Sequence, residues 1–218
     1  MPRLARLIRP LILSLLAVSA LAQAAEPARP RIGLVLGGGG ARGAAHIGIL
    51  DVLQKNRIPV DCVAGTSMGA LIAGAWAAGM SPAAMREALG AVDWGEMFID
   101  NPEYAELSQR NKLMARRYLP GSESGVMTDG VKYQTGVVTG QKIKLFLNQL
   151  VRANQGERNI EDLPLPLSIV ATDIGTGERV VYRDGSLTMA MRASMSVPGL
   201  LAPVNYRERK LVDGGLVD

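Results

Sequence analysis

The sequence predicts an α/β fold in which a mostly parallel central sheet is flanked by helices. Short apolar runs of strand length alternate with helically spaced apolar residues, beginning with residues 32–36, 44–56, 60–64 and 68–78. Glycines end both of the first two strands, as expected where a strand turns into a helix. Of the 218 residues, 48% are apolar, which is enough for one domain to bury a core.

The later elements follow the same rules, with one irregular stretch among them. Ser81 followed by Pro82 predicts the start of a helix that continues to about residue 89. Residues 93–136 are rich in glycine, proline, asparagine and charge, and predict loops or a mobile lid. Thr139 is expected to cap a helix over residues 141–153. The remaining predictions are strands over residues 165–172, 178–182 and 210–212 and a helix over residues 187–195.

The composition excludes several kinds of functional site. His46 is the single histidine and Cys62 the single cysteine, which rules out histidine-rich metal sites, cysteine-ligated zinc, iron–sulfur clusters and internal disulfides. Cys62 lies in an apolar strand pattern and is expected to be buried and inert. Aromatic residues make up 4% of the chain, too few to predict a platform for stacking single-stranded nucleic acid.

The N-terminus has the layout of a secretory signal peptide. Three arginines and no acidic residue precede the apolar run at residues 11–22, and small-x-small cleavage sites follow it. This run is shorter than the ~20 residues of a transmembrane helix, although an uncleaved signal anchor is the alternative. The sequence predicts a signal peptide over residues 1–24, a linker over residues 25–30 and one domain over residues 31–218. We expect export to the periplasm, the cell surface or the medium.

The predicted signal peptide also accounts for most of the net positive charge of +4. It holds three of the 24 basic residues and none of the 20 acidic ones, so the mature chain would carry a net charge of only +1. A basic surface is the main electrostatic requirement for binding nucleic acid. We therefore expect no nucleic-acid partner.

Ser67 lies in a G-x-S-x-G pattern between a predicted strand and a predicted helix. A nucleophile at a strand-to-helix turn needs a strained backbone, and glycines on both sides let neighbouring backbone pass closely. The glycines of this pattern are Gly65 and Gly69. Because a helix N-terminus favours negative charge, the position suits a catalytic serine better than a turn serine.

Residues 37–43, with the sequence Gly-Gly-Gly-Gly-Ala-Arg-Gly, also lie between a predicted strand and a helix. Successive glycine N–H groups at a helix N-terminus bind anions, which fits an oxyanion hole for acyl transfer. The alternative is a dinucleotide fingerprint, since Gly38, Gly40 and Gly43 match G-x-G-x-x-G. That alternative needs an acid at the end of the second strand, but Asp61 precedes the strand. The pattern favours the oxyanion hole, at the same sheet edge as the serine turn.

A serine nucleophile needs a base, and the sequence offers three candidates. A Ser-His-Asp triad would use His46, but His46 lies in the first turns of the helix after the glycine loop and is expected to be structural. Asp213 follows a short apolar strand and precedes two glycines, so its carboxylate could lie at the same sheet edge as Ser67. Asp173, at the end of the predicted strand over residues 165–172, is its rival.

Together these elements resemble the patatin-like phospholipases. The family pattern comprises a G-G-G-x-R-G loop, a G-x-S-x-G turn and a D-G-A/G motif that carries an aspartate. In this sequence the three motifs are Gly38-Gly39-Gly40-Ala41-Arg42-Gly43, Gly65-Thr66-Ser67-Met68-Gly69 and Asp213-Gly214-Gly215. Residues 192–199 also resemble the family's segment before the aspartate strand. Three ordered motifs on matching elements are more specific than any one of them.

The resemblance implies a three-layer fold and a lipid acyl hydrolase of phospholipase A type that needs no metal or cofactor. Ser67 would attack the ester carbonyl, and Asp213 would accept the serine proton and later activate water. The N–H groups of Gly38, Gly39 and Gly40 would hold the oxyanion. Arg42 would support the loop, with contact to a lipid phosphate as its alternative. The other motif glycines would support the backbone at the site: Gly43, Gly65, Gly69, Gly214 and Gly215.

The implied partners are a phospholipid or another acyl-ester lipid and a membrane surface. Family domains usually continue well past the D-G-G motif, so we expect the domain to be truncated at its C-terminus. Two alternatives to a hydrolase remain at this point. One is a dinucleotide-binding oxidoreductase, and the other is a catalytically silent lipid-binding module.

Overall fold

The computed structural model describes residues 29–99, 105–117, 124–128, 130–133, 136–152 and 156–218. Residues Ile32–Asp218 form one compact unit. Residues Met1–Arg31 form a second unit, of which only residues 29–31 are described. The predicted signal peptide and residues 25–28 of the predicted linker lie outside the described residues. Within the described ranges, no helix is both long enough and apolar enough to cross a membrane.

Most elements of the larger unit are short. Its helices are α1 (Ala45–Lys55), α2 (Met68–Ala77), α3 (Pro82–Gly90), α4 (Trp94–Met97), α5 (Gln109–Arg117), α6 (Gln141–Leu150) and α7 (Leu187–Ser194). Its strands are β1 (Gly33–Leu36), β2 (Cys62–Thr66), β3 (Ser124–Met127), β4 (Gly130–Tyr133), β5 (Gly136–Val138), β6 (Leu167–Asp173), β7 (Arg179–Tyr182), β8 (Gly199–Leu201), β9 (Val204–Tyr206) and β10 (Arg209–Asp213). Single 3-10 turns occupy Gly40–Ala44, Ile160–Asp162 and Gly214–Leu216.

A mixed sheet lies at the centre of this unit, in the order β1-β2-β6-β10-β9, with β7 also paired to β6. β1, β2 and β6 run parallel, whereas β7 and β10 are antiparallel to β6 and β9 is antiparallel to β10. Helices flank the sheet, with α2 against β1, β2 and β6 and α7 against β6, β9 and β10. The predicted α/β fold class is confirmed. The pairs β3–β4 and β5–β8 form two small sheets.

Strands β2 and β10 meet end to end along one edge of β6. β2 runs parallel to β6 and ends with Thr66 opposite Val170. β10 runs antiparallel to β6 and reaches Asp213 opposite Ala171, the next residue along β6. Since β7 pairs with both Val170 and Ala171, it occupies one edge of β6 and leaves the other edge to β2 and β10. The C-terminal ends of β2 and β10 therefore converge on the same point.

Helix α2 lies in the core, where nine of its ten residues are buried. It packs against the sheet and against α1, α3 and α7. Its start lies so close to the strands that side chains are excluded: a Cβ atom on Gly69 would lie 2.0 Å from the carbonyl oxygen of Leu36. A Cβ atom on Gly65 would lie 2.5 Å from the carbonyl oxygen of Gly69. Close packing of backbone on backbone therefore requires both glycines.

The outer side of β1 and β2 is exposed in the described structure, contrary to the sequence prediction. Val35 in β1 is 72% exposed, and Cys62 in β2 is also exposed. The alternate residues Leu36 and Val63 are buried. The prediction that Cys62 is buried is therefore wrong. A short apolar run does not by itself distinguish a strand with one buried face from a strand with two.

The stretch over residues 93–136 contains more regular structure than the sequence predicts. Its described parts form α4, α5, β3 and β4. Asp93 caps α4 by accepting the N–H groups of Gly95 and Glu96 at 2.9 and 3.2 Å. Elements of four residues have too few positions to show a helical or strand period among turn residues.

The predicted cap of α6 is wrong, because Gly140 rather than Thr139 occupies the N-cap position and makes no side-chain cap.

Replacing Gly69 with alanine is expected to destabilise the domain, because the added methyl group would overlap the Leu36 carbonyl group. Overpacking of this kind should lower the free energy of unfolding by about 3 kcal/mol. Gly48→Ala is the matched control, since Gly48 lies in α1 and a Cβ atom there would have nothing within 4 Å. That change should raise stability by about 0.5–1 kcal/mol. Urea unfolding followed by circular dichroism measures both; a Gly69→Ala variant as stable as wild type would contradict this packing.

Candidate active site

Ser67 lies at the sharp turn between β2 and α2. Its φ of 52° and ψ of −123° place a non-glycine residue in a region that L-residues rarely adopt. Such a conformation costs on the order of 1–3 kcal/mol and persists only where the surrounding structure holds it. The carbonyl oxygen of Ser67 accepts the N–H groups of Ala70 and Leu71, so the first turn of α2 begins directly at this residue.

The hydroxyl group of Ser67 donates a hydrogen bond to Asp213 Oδ2 at 2.7 Å. The second carboxylate oxygen, Oδ1, accepts the N–H group of Gly215 at 2.8 Å. Asp213 is only 6% exposed, and Thr172 Oγ1 donates to its backbone carbonyl at 2.8 Å. The carboxylate is thus fixed at both oxygens, and it is placed to take a proton from the serine hydroxyl. The structure brings together the two residues that the motifs predicted.

Ser194, at the end of α7, holds the backbone of Ser67. The N–H group of Ser67 donates to Ser194 Oγ at 2.8 Å, and the Ser194 hydroxyl donates to the carbonyl oxygen of Val170 at 2.6 Å. Ser194 is completely buried. Because its own N–H group is bound in this way, Ser67 does not supply an oxyanion donor. Ser194 lies in the segment over residues 192–199 that resembles the family, but its sequence position alone indicates no role for it.

A buried arginine orders the loop after α7. Arg192 is 4% exposed and donates to Ser196 Oγ at 2.5 Å and to the carbonyl oxygens of Thr139 and Ala202 at 2.8 and 3.3 Å. The backbone carbonyl of Ser196 in turn accepts the N–H group of Asp213 at 2.9 Å. Arg192 therefore fixes the loop that holds the backbone of the acid. The sequence does not indicate this contact, since a charged residue on a short helix is ordinarily expected at the surface.

The glycine loop after β1 lies against Ser67. A Cβ atom on Gly38 would lie 3.4 Å from Ser67 Cβ, and Gly40 has a φ of 53°, which favours glycine. In the described part of the chain, the backbone N–H groups of Gly38 and Gly39 have no hydrogen-bond acceptor. His46 Nε2 lies 3.0 Å from the carbonyl oxygen of Gly37 and ties the start of the loop to α1. The histidine thus has the structural position that the sequence predicts.

The remaining motif glycines lie at close contacts around Ser67 and Asp213. A Cβ atom on Gly43 would lie 2.7 Å from Met68 Cβ, and one on Gly214 would lie 2.4 Å from the carbonyl oxygen of Val170. Arg42 is different: its side chain is exposed, and no described residue accepts a hydrogen bond from its guanidinium group. Its backbone N–H group donates to the carbonyl oxygen of Gly39 at 3.2 Å. A support role for the Arg42 side chain stays a prediction.

Asp173, the alternative candidate for the base, forms its contacts with residues other than Ser67. Its Oδ1 accepts the N–H group of Gly175 at 2.9 Å, and its Oδ2 lies 3.6 Å from Arg209 Nη1. It lines neither of the two cavities that contain Ser67. The structure therefore separates Asp173 from the serine and joins Asp213 to it. Among the described residues, no group of three or more potential metal-ligating side chains is found.

Two cavities of different polarity meet at Ser67. The first, of about 670 Å³, is mostly apolar, and Ile47, Leu89, Trp94, Phe98, Met195 and Leu201 are among its lining residues. The second, of about 470 Å³, is lined by the glycine loop, Thr66, Asp213, Asp218 and five further residues, Ser67 among them. Gly40 and Val197 border both. The arrangement can hold an apolar chain on one side of the serine and a polar group on the other.

Known proteins resemble the chain in sequence and in fold. An uncharacterized NTE family protein of Mycobacterium bovis is 35% identical over 189 residues, which cover 87% of this chain and 44% of that protein. A patatin-like phospholipase domain-containing protein of Caenorhabditis elegans is 36% identical over 86% of this chain and 12% of its own length. The chain thus spans less than half the length of these curated relatives.

A solved structure agrees with this relationship at the level of the fold. VipD from Legionella pneumophila superposes with a TM-score of 0.56 at 20% identity, over 86% of this chain and 46% of the VipD chain. The sequence model of the patatin-like phospholipase family matches residues 34–218, which include the glycine loop, the serine turn and the aspartate motif. The chain therefore belongs to the patatin-like phospholipase family.

Proposed function

We propose that this chain is a serine lipid acyl hydrolase of phospholipase A type, with Ser67 as the nucleophile and Asp213 as the proton acceptor. The observation that carries the proposal is the 2.7 Å hydrogen bond from Ser67 Oγ to Asp213 Oδ2, at the junction of an apolar and a polar cavity. Family membership supports ester hydrolysis in general. The contacts of the described side chains support the particular residues.

In the proposed reaction, Ser67 Oγ attacks the ester carbonyl carbon and passes its proton to Asp213 Oδ2. The carbonyl oxygen becomes an oxyanion, which the free N–H groups of Gly38 and Gly39, with that of Gly40, would stabilise. When the intermediate collapses, the bond to the leaving-group oxygen breaks and that oxygen takes the proton from Asp213. An acyl group then remains on Ser67. Water attacks it, Asp213 accepts a proton from the water, and the fatty acid leaves as Ser67 recovers its proton.

The substrate side of the proposal rests on the apolar cavity and its rim. A cavity of about 670 Å³ lined by aliphatic and aromatic side chains suits an acyl chain. Three large apolar side chains at the borders of the two cavities are exposed: Val197, Leu200 and Leu216. Exposed apolar groups around a binding site are typical of proteins that work at a lipid surface. We therefore include a membrane surface among the partners, and the signal-peptide pattern supports export.

Ser67→Ala and Asp213→Asn should each lower the rate of fatty-acid release by at least a hundredfold, because they remove the nucleophile and the base. Asp173→Asn is the matched control: it makes the same chemical change in a buried acid that does not contact Ser67, so most of the activity should remain. Hydrolysis of phospholipid in mixed micelles, with circular dichroism to check folding, measures all three.

A folded Asp213→Asn variant with wild-type activity would rule out Asp213 as the base. Labelling of wild-type protein by a fluorophosphonate, with Ser67→Ala as the negative control, separates a hydrolase from a silent lipid-binding module or a dinucleotide-binding protein. Failure of Ser67 to react would contradict the proposed nucleophile.

His46→Gln should retain activity within about tenfold of wild type, since the imidazole contacts the Gly37 carbonyl and lines neither cavity. Glutamine keeps an N–H donor for that contact. Steady-state kinetics of the folded variant tests this. A loss as complete as that of Ser67→Ala would mean that histidine transfers the proton, and that a triad must replace the dyad.

Ser194→Ala should lower kcat by about ten- to a hundredfold with little change in KM. The change leaves the half-buried N–H group of Ser67 unpaired at a cost of about 1–3 kcal/mol and loosens the strained turn. Ser168→Ala is the control, because within the described ranges the Ser168 hydroxyl accepts a hydrogen bond only from Arg183, and Ser168 lines neither cavity. If Ser194→Ala reduces thermal stability while kcat stays at the wild-type value, Ser194 does not position the nucleophile.

A further inference from the structure

The apolar cavity extends from Ser67 along the groove between α1 and α3, two helices that pack against each other. Ala45 and Gly48 of α1 and Gly90 of α3 are among its lining residues, and all three are exposed, so the groove is open to solvent. A Cβ atom on Gly48 or on Gly90 would have nothing within 4 Å. The groove therefore has room for an acyl chain that leads away from the serine.

Arg86 of α3 carries the single charge among the described residues that line this cavity. Its Nη2 atom lies 3.9 Å from Asp51 Oδ2. Asp51 is about 9 Å further along the axis of α1 than Ala45. The start of α1 lies beside the serine turn, because a Cβ atom on Gly43 would be 2.7 Å from Met68 Cβ. The guanidinium group therefore lies at the end of the groove that is away from the serine.

The positive charge of Arg86 is only partly compensated. Among the described residues, Asp51 is the acid that pairs with Arg86, and Lys55 Nζ binds the same carboxylate oxygen at the shorter distance of 2.8 Å. The hydrogen bond from Lys55 is the largest cause of the lowered pKa of Asp51. Glu87, the next residue of α3, does not line the cavity. Two cations thus share one carboxylate, which leaves Arg86 able to bind a further anion.

We infer that Arg86 is a specificity-determining residue, which selects acyl chains that carry a carboxylate at the end away from the ester. A methyl group at that end gains nothing from the guanidinium group, whereas a carboxylate forms a charge-assisted hydrogen bond with it. The substrate class is a lipid ester of a dicarboxylic acid, with its free carboxylate at Arg86. This inference rests on the proposed function, because it places the acyl chain in the apolar cavity.

The test uses four lysophosphatidylcholines, which share the same alcohol and differ only in the acyl chain. One pair has six carbons in the chain and the other has ten, and within each pair the chain ends in a methyl group or in a carboxylate. An extended six-carbon chain is shorter than the span of about 9 Å along α1, and a ten-carbon chain is longer. Release of glycerophosphocholine from the monomeric lipids gives kcat/KM. The ratio of kcat/KM for the carboxylate lipid to that for the methyl lipid is the selectivity of each pair.

Arg86→Gln should lower the selectivity of the ten-carbon pair about three- to fivefold, the size expected for an ion pair with an exposed arginine. The six-carbon pair should not change, because its carboxylate does not reach the guanidinium group. Asp51→Asn removes the competing carboxylate and should raise the ten-carbon selectivity about twofold. Arg183→Gln is the matched control, since Arg183 is an exposed arginine that lines neither cavity, and both selectivities should stay at the wild-type values. An unchanged ten-carbon selectivity in Arg86→Gln, or an equal loss in both pairs, would overturn the inference.

A second measurement does not depend on turnover. Ser67→Ala and the double variant Ser67→Ala/Arg86→Gln are titrated with the two ten-carbon lipids by calorimetry. Weaker binding of the carboxylate lipid by the double variant, with binding of the methyl lipid unchanged, supports the role of Arg86. Equal binding of the carboxylate lipid by both proteins overturns it. If the wild-type protein hydrolyses none of the four lipids, the proposed function fails, and the titration still decides whether Arg86 binds the carboxylate.

Discussion

The convergence of β2 and β10 on one edge of β6 is the constraint on which the candidate site depends. β2 pairs with residues 167–170 of β6, and β10 pairs with residues 171–173, so the parallel strand ends where the antiparallel strand arrives. Ser67 follows the last residue of β2, and Asp213 is the last residue of β10. Because the sheet register sets their separation, Ser67 Oγ and Asp213 Oδ2 form a direct hydrogen bond of 2.7 Å, with no third side chain between them.

One residue of β6, Val170, connects most of the supporting contacts. It pairs with Thr66, its carbonyl oxygen accepts the Ser194 hydroxyl, and the same oxygen lies where a side chain on Gly214 would have to be. Ser194 in turn binds the N–H group of Ser67. The strained backbone of the serine is therefore held by β2, through Thr66, and by α7, through Ser194. These contacts maintain a backbone conformation at Ser67 that costs on the order of 1–3 kcal/mol.

The sequence predicts best those features that a few consecutive residues determine. The serine turn, the glycine loop and the cap at Ser81 were identified because glycine and serine at these positions have local physical reasons. Whether β10 pairs parallel or antiparallel to β6 could not be predicted from its own residues, because a short apolar strand has the same residue pattern in both arrangements. Burial of Arg192 and the role of Ser194 depend on contacts across the fold, and the exposure of Cys62 depends on what covers the sheet.

A serine paired directly with a carboxylate also restricts the rest of the site. In a triad, an imidazole lies between the acid and the reacting atoms, and the acid can be buried away from the substrate. Here the imidazole of His46 is bound to the Gly37 carbonyl, and Asp213 itself lines the cavity beside Ser67. The acid that would take the serine proton would also return it, so the leaving group must approach this carboxylate. In the proposed reaction, the polarity of the two cavities around Ser67 therefore follows from the choice of base: the side with the carboxylate receives the polar alcohol, and the opposite side is free to be apolar.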